Sequence, residues 1–328
     1  MSEASGKIFA LARHEYRSAV RSRTMAAFAV ILVSATLVSV YVSSVEYAAQ
    51  LADYQTYRAA ALANGLPRIA PSPLAPLSLL RGALEYLEII GAVIAITLGY
   101  LSVARERSNR TLALIRSRPV SINEQTAGRL IGAVGVLSTL VLATVVVAVA
   151  GVGVIGHDWL SIGQVFRVVL VGLAAVVYLG IFYCLGVIAT TRASLATNGL
   201  IVALGVWLVV VLVLPQIGDT LDADNQVPGG LFAALGLGHD GEVTILQHFV
   251  GYERTRTWIE DASLTKHFER FAFALTDVKE RYRVHGLGWL INETKADLAW
   301  LLAYALALVA GLRHTLRRQS RTASSTTT

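Results

Sequence analysis

Six apolar runs, each close to the length of a membrane-spanning helix, constrain this chain more than any other feature. They cover residues 25–45, 84–104, 130–155, 168–189, 200–217 and, with two charges in its first turn, 294–312. Crossing a hydrocarbon core about 30 Å thick takes roughly 20 mostly apolar helical residues. Of the 328 residues, 55% are hydrophobic and 15% are charged, against about 25% charged in an average soluble domain. The sequence therefore predicts an all-α membrane protein with six transmembrane helices.

The positions of the basic residues predict how these helices are oriented. Sixteen of the 28 Lys and Arg residues lie in four short segments, which are residues 1–24, 105–129, the loop at Arg192 and residues 313–328. The positive-inside rule assigns such segments to the cytosol. Both termini are then cytosolic, and the last 16 residues form a basic tail. The net charge of +6 thus reports membrane topology and does not indicate a nucleic-acid site.

Two long segments between the runs fall outside the membrane under this topology. Residues 46–83 begin with a predicted helix that Gly65 and Pro67 end, and residues 218–293 are mixed and slightly acidic. Apolar residues recur on one helical face in each segment; they are Tyr47, Leu51, Tyr54 and Ala61 in the first, and Leu264, Phe268, Phe271, Leu275, Val278 and Tyr282 in the second. We expect an extracytoplasmic cap of amphipathic helices, called here the predicted cap (residues 218–293). Its role is either structural or to bind an extracytoplasmic accessory protein.

A charged strip, residues 105–129, lies between the second and third runs. A short helix capped by Ser108 or Asn109 is predicted before Pro119, which removes a backbone donor and ends the helix; this helix holds Thr111, Leu112 and Ile115. Ser121 and Glu124 then have the spacing of a capping box, so a second helix should continue into the third run. A basic loop held to anionic lipid is the alternative, at about 1 kcal/mol per basic residue.

The strip resembles that of the permease subunits of ABC-2 type ABC transporters. Their pattern is an acidic residue, Gly-Thr-Leu, a short apolar helix, Pro-Val-Ser, and a Gly-Lys that enters the next span. The matching residues here are Glu106, Thr111, Leu112, Pro119, Val120, Ser121 and Gly128, with Arg129 in the basic position. Arg110 departs from the pattern because it stands where glycine is usual. The similarity is nearest to the branch of the nitrous-oxide-reductase maturation permeases, often associated with multicopper-enzyme maturation.

The N-terminal stretch ARHEYRSAVRSRTM resembles the interfacial helix of the same family, with Glu15 in an acidic position between Arg13 and Arg17. The resemblance implies that residues 1–24 form this helix and that residues 25–217 contain spans one to five. It also implies that the strip docks on a separate cytosolic ATPase subunit, which would carry the ATP and Mg²⁺. The coupling residues would be Glu106, Arg110, Thr111, Leu112, Ile115, Pro119, Ser121 and Glu124. A second copy of the chain and a prokaryotic plasma membrane are further implications.

Motifs for catalysis do not occur in the sequence. A phosphate-binding loop needs G-x-x-x-x-G-K-[ST], and the one Gly-Lys pair, Gly6-Lys7, lacks the rest of it. The histidines are not spaced for a shared metal ion, and the runs offer only Cys184 and Met25 as soft ligands for copper. We therefore expect a non-catalytic chain that binds no cofactor or metal. Gly128 and Gly132 form a G-x-x-x-G that serves either helix packing or a dimer seam.

Two acidic pairs near the predicted outer surface complete the candidate sites. Glu85 and Glu88 begin the second span, and Glu293 and Asp297 begin the sixth. Carboxylates at helix N-termini complement the helix dipole, which explains them without a ligand. The alternative is an outer vestibule that receives a cationic substrate or a basic partner surface.

Two rival functions remain at this point. A membrane anchor or receptor would use the predicted cap to bind a protein. An intramembrane hydrolase or transferase would need ionisable residues deep in the spans, and the middles of the first five runs contain none.

Overall fold

The described part of the chain is helical. The computed structural model describes residues 3–64, 75–108, 121–221, 231–236, 241, 244–245 and 247–325. Every regular element within these ranges is an α-helix, a 3-10 turn or a π-helical segment. The predicted fold class, an all-α membrane protein, is confirmed.

The helices have the following bounds. The α-helices are α1 (Glu3–Val20), α2 (Arg23–Ala63), α3 (Arg81–Ser108), α4 (Ile122–Ile155), α5 (Ile162–Arg192), α6 (Ala196–Trp207), α7 (Leu214–Leu221), α8 (Leu231–Ala234), α9 (Val250–Ala262), α10 (Leu264–Leu275), α11 (Glu280–Arg283), α12 (Leu287–Glu293) and α13 (Lys295–Ser325). The 3-10 turns are Pro76–Leu80 and Gln247–Phe249, and the π-helical segment Leu208–Val213 joins α6 to α7.

Six helical stretches of the described chain have the length and apolar composition needed to cross a membrane, as predicted. They are Arg23–Ala63, Pro76–Arg107, Ile122–Ile155, Ile162–Arg192, Ala196–Gly218 and Lys295–Gln319. Large apolar side chains such as Val38, Ile201 and Leu306 point outward, and each is more than half exposed. A soluble protein rarely leaves so much apolar surface in water. These faces are suited to lipid.

The first span differs from its prediction in length. We expected a separate helix after residue 46, whereas α2 runs unbroken for 41 residues and ends at the C-cap Asn64, which makes it about 60 Å long at 1.5 Å per residue. The predicted apolar face is confirmed, since Tyr47 and Ala61 are buried. The Tyr47 hydroxyl donates to Asp158 Oδ2 at 3.0 Å. Gly65, Pro67 and the prolines at 71 and 73 lie outside the described residues.

Helices α3 and α5 form the centre of the bundle and touch through their backbones. A Cβ atom added at Gly99 would lie 2.5 Å from the Tyr183 carbonyl oxygen, and one at Gly186 would lie 2.4 Å from that of Ile96. Only glycine at both positions allows this approach. The side chains of Tyr178 and Phe182 are fully buried beside it.

The fifth span contains the π-helical segment in its middle. Pro215 lies two residues after the end of the segment, and proline both lacks an amide hydrogen and crowds the carbonyl four residues earlier. A wider π-helical turn before the proline accommodates this conflict. The Thr265 hydroxyl on α10 donates to the Val210 carbonyl oxygen of the segment at 3.4 Å.

The predicted cap contains a helix that is buried over most of its surface. All the residues of α10 except Glu269 and Arg270 are buried, including the polar side chains of Lys266 and His267. This helix packs against α5, α13, α3 and the π-helical segment, so it is inserted among the spans. Its Phe268 ring stacks on Tyr178 of α5 with the centroids 4.8 Å apart.

The prediction of one long amphipathic helix from Leu264 to Tyr282 is wrong. Helix α10 ends at Leu275, Thr276 is its C-cap, and Asp277 has a positive φ of 53°, which aspartate tolerates better than most residues. Val278 and Tyr282 lie beyond this break. Tyr282 belongs to the separate helix α11, and its side chain is buried. The apolar spacing identified the buried residues but not the break.

Candidate functional site

The charged strip is described at its two ends. Helix α3 enters it at residues 105–108, and α4 leaves it from the N-cap Ser121. Five of the predicted coupling residues lie outside the described residues; they are Arg110, Thr111, Leu112, Ile115 and Pro119. Glu106, Ser121 and Glu124 are described.

The predicted capping box at the start of α4 is confirmed. The Glu124 amide donates to Ser121 Oγ at 3.2 Å, and the Ser121 amide donates to Glu124 Oε2 at 2.6 Å. Two amides that have no partner within the helix are satisfied in this way. The strip therefore passes into a helix whose first turn is fixed.

Glu106 and Arg129 form an ion pair across the strip. The Arg129 guanidinium donates from Nη2 to the Glu106 carboxylate. The Glu106 side chain is 17% exposed and the Arg129 side chain is 5% exposed, so the pair is largely shielded from water. The pair ties the end of α3 to the third turn of α4 and thus closes the strip at its base.

Arg105 and Arg107, on either side of Glu106, bind two other elements. Arg105 Nη1 donates to the Ser18 carbonyl oxygen at 2.8 Å and also to the Ser18 hydroxyl. Arg107 donates to the carbonyl oxygens of Thr191 and Ala193, each at 2.9 Å. These carbonyls end α5, where a cation is favoured by the helix dipole.

Three consecutive residues therefore hold three different elements. Arg105 binds the end of α1, Glu106 binds α4, and Arg107 binds the end of α5 and the loop to α6. We call residues 105–107 the basal triplet. The triplet forms the first three residues of the strip, so it connects the strip to α1, α4 and α5.

Helix α1 lies along the start of α4 in a groove made by glycines. A Cβ atom at Gly128 would lie 2.5 Å from Leu11 Cβ, and one at Gly132 would lie 2.8 Å from the Ala12 carbonyl oxygen. The Gly128–Gly132 motif thus serves helix packing within the chain, one of the two alternatives drawn from the sequence.

The predicted residues of the interfacial helix divide between two faces of α1. Glu15 faces inward and accepts a hydrogen bond from Ser102 Oγ of α3 at 2.7 Å. Arg13 and Arg17 face outward and are exposed, in a groove of about 690 Å³ whose lining also includes His14 and Arg21. Glu15 is also within electrostatic reach of the buried Arg129. Its inward position explains why one acid stands among these basic residues.

Sequence reasoning missed the roles of Arg105, Arg107 and Ser102. The two arginines were interpreted only as topology signals, and their partners lie 84 to 87 positions away in the sequence. No spacing rule relates residues so far apart. The resemblance did mark Glu106 and Arg129, but it did not indicate that they form a pair.

The two acidic pairs near the predicted outer surface have separate surroundings. Glu85 accepts a hydrogen bond from Arg81 Nε at 2.8 Å, and Glu88 lies one turn further along α3. Asp297 Oδ1 lies within hydrogen-bond distance of His267 Nδ1, at 2.8 Å. Glu293 is exposed and ends α12, because α13 begins only at Lys295; its predicted place at the start of the sixth span is therefore wrong. The outer vestibule stays a prediction.

Candidate metal ligands do not gather among the described residues. No group of three or more His, Cys, Asp or Glu side chains in that part of the chain has a geometry that could hold a metal ion. Cys184 is buried as a free thiol in α5.

Comparison with known protein families agrees with this architecture. The family model of the ABC-2 family transporter protein matches residues 9–312. No curated protein matches the chain. The match begins inside α1 and ends inside α13, so it includes the first five candidate spans, residues 295–312 of the sixth, and the basal triplet. The chain belongs to the ABC-2 transporter family.

Proposed function

We propose that this chain is the permease subunit of an ABC transporter, in which ATP hydrolysis by a separate ATPase subunit moves a substrate across or out of the membrane. The family match supports the permease role. The observation that carries the coupling role is the basal triplet, which binds α1, α4 and α5 from three consecutive positions. The strip would be the surface on which the ATPase docks.

The triplet suits the transmission of movement because its hydrogen bonds and ion pair join it to defined groups on other helices. The Glu106–Arg129 pair is shielded, and breaking such a pair by removing one partner costs about 3–5 kcal/mol. Arg107 binds the last carbonyls of α5. A displacement of the strip at residue 108 would therefore pull on α1, α4 and α5 together.

Other parts of the assembly follow from the same proposal. The ATPase subunits carry ATP and Mg²⁺, and a second copy of this chain completes the membrane part. Both termini, the strip and the basal triplet lie on the cytosolic side. A prokaryotic plasma membrane and the branch of the nitrous-oxide-reductase maturation permeases are the finer assignments that we propose from the strip sequence.

A membrane anchor is not favoured as an alternative. Its main support was the length of the predicted cap, and α10 of that cap is packed into the bundle. A helix that is buried in this way is not available as a surface for an external partner.

The coupling role is tested by nucleotide-dependent movement in the complex of this chain with its ATPase. In a Cys184→Ala background, spin labels at Phe9→Cys on α1 and Leu195→Cys after α5 report on two elements that the triplet binds. Both side chains are more than 60% exposed. We expect ATP and Mg²⁺ to change the distance between the labels.

The variant Arg107→Ala should keep the ATPase bound but abolish this change, because the strip would then no longer hold the end of α5. Arg192→Ala, which removes a neighbouring arginine outside the triplet, is the matched control and should leave the movement intact. A full distance change in Arg107→Ala would contradict the coupling role of the triplet.

A further inference from the structure

The outward face of α1 carries a regular row of arginines. Arg13, Arg17 and Arg21 are spaced four residues apart, so they follow one another along a single helical face. The Arg21 amide still donates to the Arg17 carbonyl oxygen at 3.1 Å, and the row therefore continues beyond Val20. All three side chains are exposed, and they line one groove of about 690 Å³. We call these three residues the arginine row.

The arginine row has no counter-charge within the described part of the chain. No carboxylate there forms an ion pair with any of the three guanidinium groups. Glu15, the acid nearest to the row in the sequence, faces inward and accepts a hydrogen bond from Ser102. Like charges four residues apart destabilise a helix. The row is therefore unfavourable unless an anion lies against it.

Two simpler explanations account for only part of the row. The helix dipole favours cations in the last turn, which explains Arg17 and Arg21, whereas Arg13 stands in the middle of α1. The positive-inside rule requires basic residues in this segment, and any helical face would satisfy it. Neither explanation requires that three arginines line the same groove.

Exposed apolar side chains accompany the arginines on this face. Phe9 lines the groove and is 64% exposed, and Val20, seven residues after Arg13, is 55% exposed. Basic and apolar side chains that are exposed together are typical of a helix at a membrane surface. The basic groups then reach anionic headgroups, and the apolar groups enter the boundary with the acyl chains.

The position of α1 places this face at the edge of the apolar layer. Helix α1 packs on α4 at Gly128 and Gly132, and the third apolar run begins at residue 130. Arg21 stands four residues before the first apolar run, which begins at Met25. The headgroup layers of a bilayer lie directly outside the hydrocarbon core. The arginine row is thus at the height of headgroup phosphates.

The inner side of α1 is fixed, so the groove is formed before anything binds in it. The Ser18 carbonyl oxygen accepts from Arg105 Nη1 at 2.8 Å, and Ser18 also lines the groove. Arg105 therefore adds a fourth positive charge at the edge of the groove, while the charge of the adjacent Glu106 is balanced by Arg129. A site that is already formed loses less freedom on binding.

We propose that the arginine row binds the phosphate headgroup of an anionic phospholipid. The planar guanidinium group suits this ligand because it donates to two phosphate oxygens at once. Phe9 and Val20 contact the start of the acyl chains. The bound lipid neutralises the row and braces α1 against α4. This site does not depend on the docking of an ATPase.

The proposal is tested by native mass spectrometry of the full chain in neutral detergent, with phosphatidylglycerol or phosphatidylcholine added at equal concentration. We expect the parent protein to retain phosphatidylglycerol in preference, and high salt to weaken this binding, since salt screens exposed charges. The row variant, Arg13→Gln with Arg17→Gln and Arg21→Gln, should bind it about a hundredfold more weakly, because each basic residue near an anionic surface contributes roughly a fivefold gain in affinity.

The matched control is Arg58→Gln with Arg192→Gln and Arg254→Gln, which removes three exposed arginines elsewhere and should bind phosphatidylglycerol like the parent. Equal affinities of the parent and the row variant would overturn the proposal, as would a parent that does not distinguish the two lipids. The parent measurement decides the case if the row variant fails to fold.

Two further arms separate the lipid from other anions. Inorganic phosphate at constant ionic strength should leave the lipid bound, and displacement of the lipid would assign the groove to free phosphate and contradict the proposal. The row variant should still co-purify the ATPase. Loss of the ATPase together with unchanged lipid affinity would assign the row to a protein surface and refute the lipid site.

Discussion

At the base of the bundle, residues that are separate in the sequence form one connected set of side-chain contacts. The resemblance marked Glu106 and Arg129, and their 23-residue separation gave no sign of contact. In the structure they are bonded to each other, while Arg105 and Arg107 reach two further helices. Charge at this site therefore holds helices together, in addition to supporting the predicted topology.

The Glu106–Arg129 pair predicts a specific pattern of stabilities. Glu106→Ala leaves Arg129 buried without its counter-charge and should cost about 3–5 kcal/mol. Replacing both partners, in Glu106→Leu with Arg129→Met, should recover most of that loss, because apolar pairs often substitute well for buried ion pairs. Thermal unfolding, followed by reaction of the buried Cys184 with a thiol dye, provides the measurement.

Glu85→Ala is the matched control for this cycle, since Glu85 lies on the same helix in an exposed pair with Arg81. Exposed pairs contribute about 0–1 kcal/mol. Equal losses for Glu85→Ala and Glu106→Ala would show that the buried pair has no special role.

At the scale of single elements, the sequence predicted where most helices lie but not which side chains of other helices they contact. Hydrophobic runs located all six spans, and the capping box at Ser121 located the start of α4. The break after Leu275 was missed because an apolar spacing continues across it. The burial of His267 was missed because a polar residue on a helix gives no sign of a partner 30 positions away.

The packing of α1 on α4 gives a prediction at this scale. Gly132→Ala should destabilise the protein, because the new Cβ would meet the Ala12 backbone oxygen at 2.8 Å, and a backbone atom cannot move aside as a side chain can. We expect a loss of about 1–3 kcal/mol, typical of overpacking, and faster amide hydrogen exchange in α1.

Gly180→Ala on α5 is the matched control, since nothing lies within 4 Å of the added Cβ. Alanine is the better helix former by about 1 kcal/mol, so this variant should be neutral or slightly more stable. If Gly132→Ala behaved in the same way, the glycine groove would not be the basis of the contact between α1 and α4.

For the whole molecule, the distribution of basic residues predicts which surfaces face the cytosol. Cysteine labelling in a Cys184→Ala background checks this in intact cells. An impermeant reagent should label Val284→Cys, whose parent side chain is 83% exposed in the predicted cap, and should not label Phe9→Cys, which is 64% exposed on α1. Labelling at position 116 from outside would overturn the topology.

Docking of the strip on a separate ATPase is tested by one co-purification. The tagged chain is purified in mild detergent from its native membranes as the parent, as Leu112→Asp, and as the control Leu235→Asp, whose parent leucine is 60% exposed in the predicted cap. A charge at position 112 would lie unpaired in an apolar contact. We predict a stoichiometric nucleotide-binding subunit with the parent and with Leu235→Asp, and its loss with Leu112→Asp. An ATPase that remains at the parent stoichiometry on Leu112→Asp would show that the strip is not its docking surface.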